Sequence, residues 1–309
     1  MDRVQLWSEN KLSGITMKRI IFLITILAFG TLLFAQSDDF DFGAGTHEFS
    51  VGAGFGHASL REPNTPFAFN IGVGLNFGYA FNINENFAIV TGLDFNLYGS
   101  DLTLAEFFDT ALIEKSFFQP PPLPGFDDSS FNFFVHAQGI HEKQRVVYLY
   151  LPIMARYKFP VGYNNALYVK GGAKIGIPIV RSYSGSVDSI TTSGIGTIDQ
   201  QPYDTLLLWG FGTFQPNRLD GKLDLKPSVV LSFELGYVHT LGNGKPLYIG
   251  AHINYGITNI LGSPNTAPIV YAPENINPPR PAPPRLSSFT SRFDSMNTMS
   301  FGITVRLGL

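Results

Sequence analysis

"FNIGVGLNFGYAFN", Phe69 to Asn82, places a large apolar residue at every odd position and a small or polar one at every even position. Phe69, Ile71, Val73, Leu75, Phe77, Tyr79 and Phe81 form one set, and Asn70, Gly72, Gly74, Asn76, Gly78, Ala80 and Asn82 the other. A period of two is the signature of a β-strand whose faces see different surroundings. Two questions follow: which solvent meets the Phe-rich face, and what packs against a face of Gly and Asn?

The same alternation recurs along the chain. It predicts further strands over Thr46–His57, Phe87–Tyr98, Gln144–Phe159, Leu167–Ile179, Val229–Leu241, Leu247–Ile257 and Thr298–Leu309. With the opening stretch these make eight, each long enough for the roughly 9–11 residues of a tilted bilayer crossing. "INEN" (83–86), "VGYNNA" (161–166) and "GNGK" (242–245) read as tight turns, because Asn and Gly tolerate the backbone that hairpin turns require. The other connections, 58–68, 100–143, 182–226 and 262–296, are long and polar or proline-rich. Short turns at one rim and long loops at the other are the layout of a membrane barrel. The expectation is an all-β, eight-stranded, antiparallel up-and-down transmembrane β-barrel, with short periplasmic turns and four long extracellular loops.

A soluble lipocalin-like barrel is the rival, with the polarity of its faces reversed. Repeated Gly on the polar face suits a crowded interior, whereas a water-facing strand surface carries Lys, Glu and Thr. Aromatic residues near the ends of the apolar face, namely Phe69, Phe81, Phe87, Tyr157, Phe159, Tyr237 and Tyr255, fit interfacial girdles. Pro152 and Pro178 oppose a closed ladder, since proline donates no hydrogen bond. They are read as local bulges or kinks, the alternative being that their strands end early.

Composition agrees with this placement. Charged residues are 15% of the 309-residue chain and hydrophobic ones 44%, against about 25% charged in ordinary soluble domains. A net charge of −3 gives no footprint for nucleic acid. The absence of cysteine excludes disulfides, thiolate metal sites and cysteine nucleophiles. "MKRIIFLITILAFGTLLFAQ" (17–36) has two basic residues, an apolar run and a small Ala35. That order is a secretory signal peptide, and the run is short for a membrane anchor helix. The expected organisation is an N-terminal extension and cleaved signal over 1–35, an acidic segment over 36–45 and the barrel over 46–309. Export to the outer membrane of a Gram-negative bacterium follows.

"YLYLPIMARY" (148–157) resembles a Y-L-x-I-P-x-x-x-K-Y stretch of small Bacteroidetes outer-membrane barrels, the PorT-like "outer membrane protein β-barrel domain" family. Tyr148, Leu149, Pro152 and Tyr157 match, Leu151 stands for Ile, Arg156 for Lys, and Tyr150 occupies a position where that family often has Glu. An "FAQ" signal end and a final strand stopping at the C-terminus add to the likeness. The resemblance implies lipid surroundings, insertion by the barrel-assembly machinery, and a role for some members in protein secretion.

On the inward face, charged residues group by height. Glu48, Arg156, Lys170 and Arg306 are nearest the short-turn rim, and Asp94, Lys174, Glu234 and His252 lie near mid-height. Mixed signs predict an ion-pair network plugging the lumen, with Glu48 close to Arg306 and Lys174 close to Glu234. The alternative is a narrow channel or a conduit for small hydrophobic molecules, but eight strands leave room for little beyond side chains.

No cofactor or metal is expected. His57 and Ser59 share a face at i, i+2, which raises a lipid-modifying enzyme as a second alternative, but an orienting carboxylate is also required. His136 and His141, with Glu142 nearby, read better as solvated loop histidines than as metal ligands. The expected protein is non-enzymatic. Its long proline- and aromatic-rich loops, carrying Phe117, Phe118, Phe126, Arg280 and Arg285, display contacts for a protein or surface partner, as in a secretion or envelope accessory. Disordered loop is the alternative.

Overall fold

In the opening stretch the strand runs Ile71–Asn82, with Ile71, Val73 and Phe81 exposed and Gly72 and Ala80 buried. The computed structural model describes residues 47–61, 70–114, 130–197, 202–203, 211–215, 218–264, 266–271 and 285–309. Phe69 and the N-terminal segments over 1–45 lie outside them.

The long strands are β1 (His47–Arg61), β2 (Ile71–Asn82), β3 (Phe87–Glu114), β4 (Ser130–Pro160) and β5 (Asn165–Ser186). Short strands follow: β6 (Ser189–Gly196), β7 (Pro202–Tyr203), β8 (Gly212–Phe214) and β9 (Leu219–Gly221). Then come β10 (Ser228–Thr240), β11 (Pro246–Gly256), the pair β12 (Ile269–Val270) and β13 (Arg285–Leu286), and β14 (Asn297–Gly308). Eight of these pair antiparallel around a ring in the order β1, β2, β3, β4, β5, β10, β11, β14. β14 closes it onto β1, from Ser50 opposite Gly308 to Arg61 opposite Asn297.

Three tight turns join strands at one end. In the first, the Asn84 side chain accepts the Asn86 and Phe87 N–H groups at 2.9 and 2.7 Å. The other two use Gly162 (φ +121°) and Gly244 (φ +81°), where a side chain would strain the backbone.

The outward face carries Phe49, Phe55, Leu93, Leu151, Ile153, Ile175, Leu231, Phe233, Ile253 and Ile303, all exposed. From Ile71 to Phe81, ten steps of about 3.3 Å tilted by about 40° cover about 25 Å, the height of a bilayer's apolar band. Phe81, Tyr157, Phe159 and Tyr237 are exposed toward the short-turn end, with half-buried Phe87, and Tyr255 is exposed toward the other end.

Both prolines sit within continuous strands. β4 passes through Pro152, where its pairing with β3 lapses between Val90–Met154 and Asp94–Tyr150. At Pro178 the β4–β5 register shifts, with Val147 opposite Val180 but Tyr148 opposite Pro178. Each proline thus coincides with a local break in the ladder, and neither ends its strand.

The expected loop limits need correction. β1 reaches Arg61, β5 reaches Ser186, and much of 100–143 is hairpin, with β3 and β4 paired out to Glu114 and Ser130. On both strands the buried face changes phase at the same height. Leu102 and Ile140 are buried on one side of it, Phe107 and Ala137 on the other. Gly139 takes φ +62° there, and a Cβ on it would meet the Asp188 carboxylate. Beyond that level the hairpin is inverted relative to the lipid-facing region, with apolar residues inward. Phe131, Phe133, Phe211, Tyr271 and Phe289 build a core over the end of the ring, with ring centroids 5.1–5.4 Å apart for Phe131–Phe211, Phe131–Tyr271 and Phe133–Tyr271. Burial there raises the Tyr271 phenol above its ordinary pKa.

Candidate functional site: the plugged lumen

Even-numbered residues of β1–β5, β10, β11 and β14 in the lipid-facing region point inward, so the pleat alone collects their polar side chains in the lumen. At the short-turn rim, Arg156 holds Glu48 through two parallel bonds of 2.8 and 3.0 Å. Lys158 approaches the same carboxylate at 3.5 Å, and the Tyr248 hydroxyl donates to it at 2.9 Å. Arg156 also donates to Asn82 at 3.2 Å.

The next level is centred on Glu234. Lys170 reaches it at 2.7 Å and Arg306 at 2.8 Å, and the Tyr168 hydroxyl donates to the same carboxylate. Tyr248 links the two levels, with the Arg156 and Arg306 guanidinium groups 5.0 and 5.6 Å from its ring centre. Higher up, Lys174 pairs with Asp94 at 2.8 Å, and His252 Nδ1 lies 2.9 Å from the Thr304 hydroxyl.

Two expected pairings are therefore corrected. Glu48 bonds Arg156 instead of Arg306, and Lys174 bonds Asp94 instead of Glu234. The register explains the second, because Lys170 faces Glu234 whereas Lys174 faces Val230. The first reflects reach: in so narrow a ring a long side chain on β4 spans the lumen to β1, and Arg306 is committed to Glu234. The height grouping changes accordingly, with Glu234 joining Arg306 and Lys170. Lys158, Tyr168 and Tyr248 were missed by the sequence reading, although their even positions on the same strands placed them inward.

The glycines make this crowding possible. A Cβ on Gly250 would lie 2.3 Å from the Tyr168 hydroxyl, one on Gly176 2.4 Å from the Tyr150 ring, and one on Gly52 2.3 Å from Arg306 Cγ. In the opening strand, Gly74 and Gly78 leave space for the side chains of Asn96 and Ser50. Among the described residues, a cavity of about 60 Å³ runs along this glycine wall, between Ser50 and Ser300.

Above the cavity, Tyr98, Tyr148 and Tyr150 are fully buried, with Tyr148 stacked on Tyr150 and Tyr98 edge-on to both, at centroid separations of 5.5–6.4 Å. Ion pairs thus block one end of the lumen and tyrosines the other.

His57 and Ser59 do meet, with Nε2 2.9 Å from Oγ, both residues buried. The Asn70 backbone N–H donates to His57 Nδ1 at 3.1 Å. That bond places the imidazole proton on Nε2, which donates to Ser59 and has no lone pair left to take its proton. Glu142 is also buried, and it accepts Ser288 Oγ at 2.5 Å, the Phe289 N–H at 2.8 Å and Thr290 Oγ1 at 2.9 Å. The segment after β13 is thereby tied to β4. His136 stacks on Phe108 at 4.2 Å, and among the described residues no His, Cys, Asp or Glu cluster forms a metal site. Of the loop residues singled out, Arg285 is exposed in β13, while Phe117, Phe118, Phe126 and Arg280 lie outside the described residues.

The sequence matches the family described as outer membrane protein beta-barrel domain over residues 34–262, most of the chain. The protein belongs to that family. Its place is the outer membrane of Gram-negative bacteria. No curated protein sequence matches it. Among solved structures it is similar to Ail, the attachment invasion locus protein of Yersinia pestis, at 9% identity and TM-score 0.28, covering 85% of this chain and 99% of that one. It is also similar to Neisserial surface protein A at 10% identity and TM-score 0.30, covering 84% and 96%. Outer membrane protein AlkL matches at 10% identity and TM-score 0.30, covering 86% and 92%. Superpositions this loose say nothing about activity, and membership rests on the sequence match.

Proposed function

We propose that this member of the family is a non-enzymatic, non-conducting barrel that holds a rigid platform at the cell surface for a protein partner, as an accessory of secretion or envelope assembly. One observation carries the reading. Ion pairs and tyrosines occupy the lumen apart from a cavity of about 60 Å³, while among the described residues the largest investment of ordered structure beyond the ring lies in the extended β3–β4 hairpin and the aromatic core beneath it. The short-turn end, where β1 begins and β14 ends, faces the periplasm, and the platform faces outward. The "YLYLPIMARY" likeness supports the PorT-like branch and hence the secretion context.

The proline- and aromatic-rich segments 116–129 and 272–284, which lie outside the described residues, are the proposed contact arms. Crosslinking in intact cells, with identification of co-purified proteins, tests this against variants lacking either segment. Loss of a specific partner in one deletion supports the proposal, and an unchanged set of partners in both overturns it. A channel or conduit is the second reading, favoured only by the cavity of about 60 Å³ beside the glycine wall.

A further inference from the structure

Just beyond the lipid-facing band, the outward face of β4 changes character. Leu151, Leu149 and Val147 are followed at the same two-residue spacing by Arg145, Lys143 and His141, all three exposed. On β5 the outward neighbours of Arg145 and Lys143 are Ser182 and Ser184, both exposed, above the lipid-facing Ile177 and Ile179. On the β3 side, Gly99 faces Arg145 and Asp101 faces Lys143. Neither Lys143 nor Arg145 is in a salt bridge among the described residues. By contrast, among the described residues the inward lysines and arginines of the ring each pair with a carboxylate.

We infer that Lys143, Arg145, Ser182 and Ser184 form a site for the phosphate of a membrane glycolipid headgroup. Two cations and two hydroxyls on adjacent strands, about 5 Å apart across the ladder, match a phosphate's several acceptor oxygens once the Ser182 hydroxyl leaves its 3.4 Å bond to the Arg145 carbonyl. Position selects the lipid as the source of that phosphate. The cluster continues the lipid-facing surface directly, so acyl chains lying against Leu151 and Ile177 bring their headgroup to this height. Basic residues at such an interface are the usual attraction for anionic lipid. Asp101 is the opposing charge and weakens the Lys143 end. The inference rests on the platform end facing the outer leaflet.

The test uses the full barrel in nanodiscs of phosphatidylcholine doped with diphosphorylated lipid A, with bound lipid counted by native mass spectrometry. Each basic residue near an anionic surface is worth about fivefold in affinity, so Lys143→Gln with Arg145→Gln reduces retention about thirtyfold. Asp101→Asn increases it, dephosphorylated lipid A is not retained, and inorganic phosphate does not displace the lipid. Equal retention in the double variant, equal retention of dephosphorylated lipid, or displacement by inorganic phosphate overturns the inference. Heat-dependent gel mobility confirms that each variant is folded. Orientation is read separately: the chain has no cysteine, so a Lys143→Cys variant labelled on intact cells reports which side this end faces. Lipid retention without surface labelling would fault the orientation and leave the site standing.

Discussion

Glu234→Ala is the sharpest perturbation of the lumen. Its carboxylate is the shared partner of Lys170 at 2.7 Å and Arg306 at 2.8 Å, and all three residues are buried. Truncation leaves two cations without a counter-charge. The remaining lumen carboxylates are already engaged, Glu48 by Arg156 and Lys158 and Asp94 by Lys174. Removing one member of a buried ion pair costs about 3–5 kcal/mol, and with two cations orphaned the expected loss lies at the upper end. Replacing the whole set with apolar residues (Glu234→Leu, Lys170→Leu and Arg306→Met together) recovers most of that loss, because no uncompensated charge remains. The assay is urea unfolding in phosphatidylcholine vesicles, with the folded fraction read by heat-dependent gel mobility. The single variant has a lower midpoint at unchanged slope. A single variant within about 1 kcal/mol of the parent, or a triple variant as unstable as the single, refutes the reasoning.

Other expectations follow from the same contacts. Gly250→Ala drives a methyl group toward the Tyr168 hydroxyl and costs about 1–3 kcal/mol of overpacking in the same unfolding assay. Pairing it with Tyr168→Phe, which removes the colliding oxygen, restores part of that loss. Glu142→Ala removes the shared acceptor of Ser288, Thr290 and the Phe289 N–H, leaving Gln144 as the side-chain partner of Thr290 on β4. Limited proteolysis then cuts near 285–296 sooner, while the gel shift of the ring is unchanged. Swapping Glu48 and Arg156, as Glu48→Arg with Arg156→Glu, keeps the pair and is milder than either single change by about 1–3 kcal/mol of coupling.

The eight ring strands were legible because lipid on one side and a crowded lumen on the other impose opposite demands on alternate residues, as from Ile71 to Phe81. Hairpin extension of β3 and β4 was hidden by the phase change near Ala105 and Gly139. A pattern that reverses its buried face midway reads as a loop when only one phase is sought, although Phe131, Phe133, Val135 and Ala137 already alternate. Strand phase also placed the eight charged residues inward, yet it could not select partners. Side-chain reach across a narrow ring lets Arg156 bypass neighbouring strands for Glu48. The Glu142 contacts join residues almost 150 positions apart, and no local pattern announces such a pairing.

Single-channel recording on the purified barrel in planar bilayers bears most directly on the filled lumen. With Glu48–Arg156 at one rim and Tyr98, Tyr148 and Tyr150 at the other, the account predicts a silent membrane at every voltage. Discrete, reproducible conductance steps from the unmodified protein would contradict it.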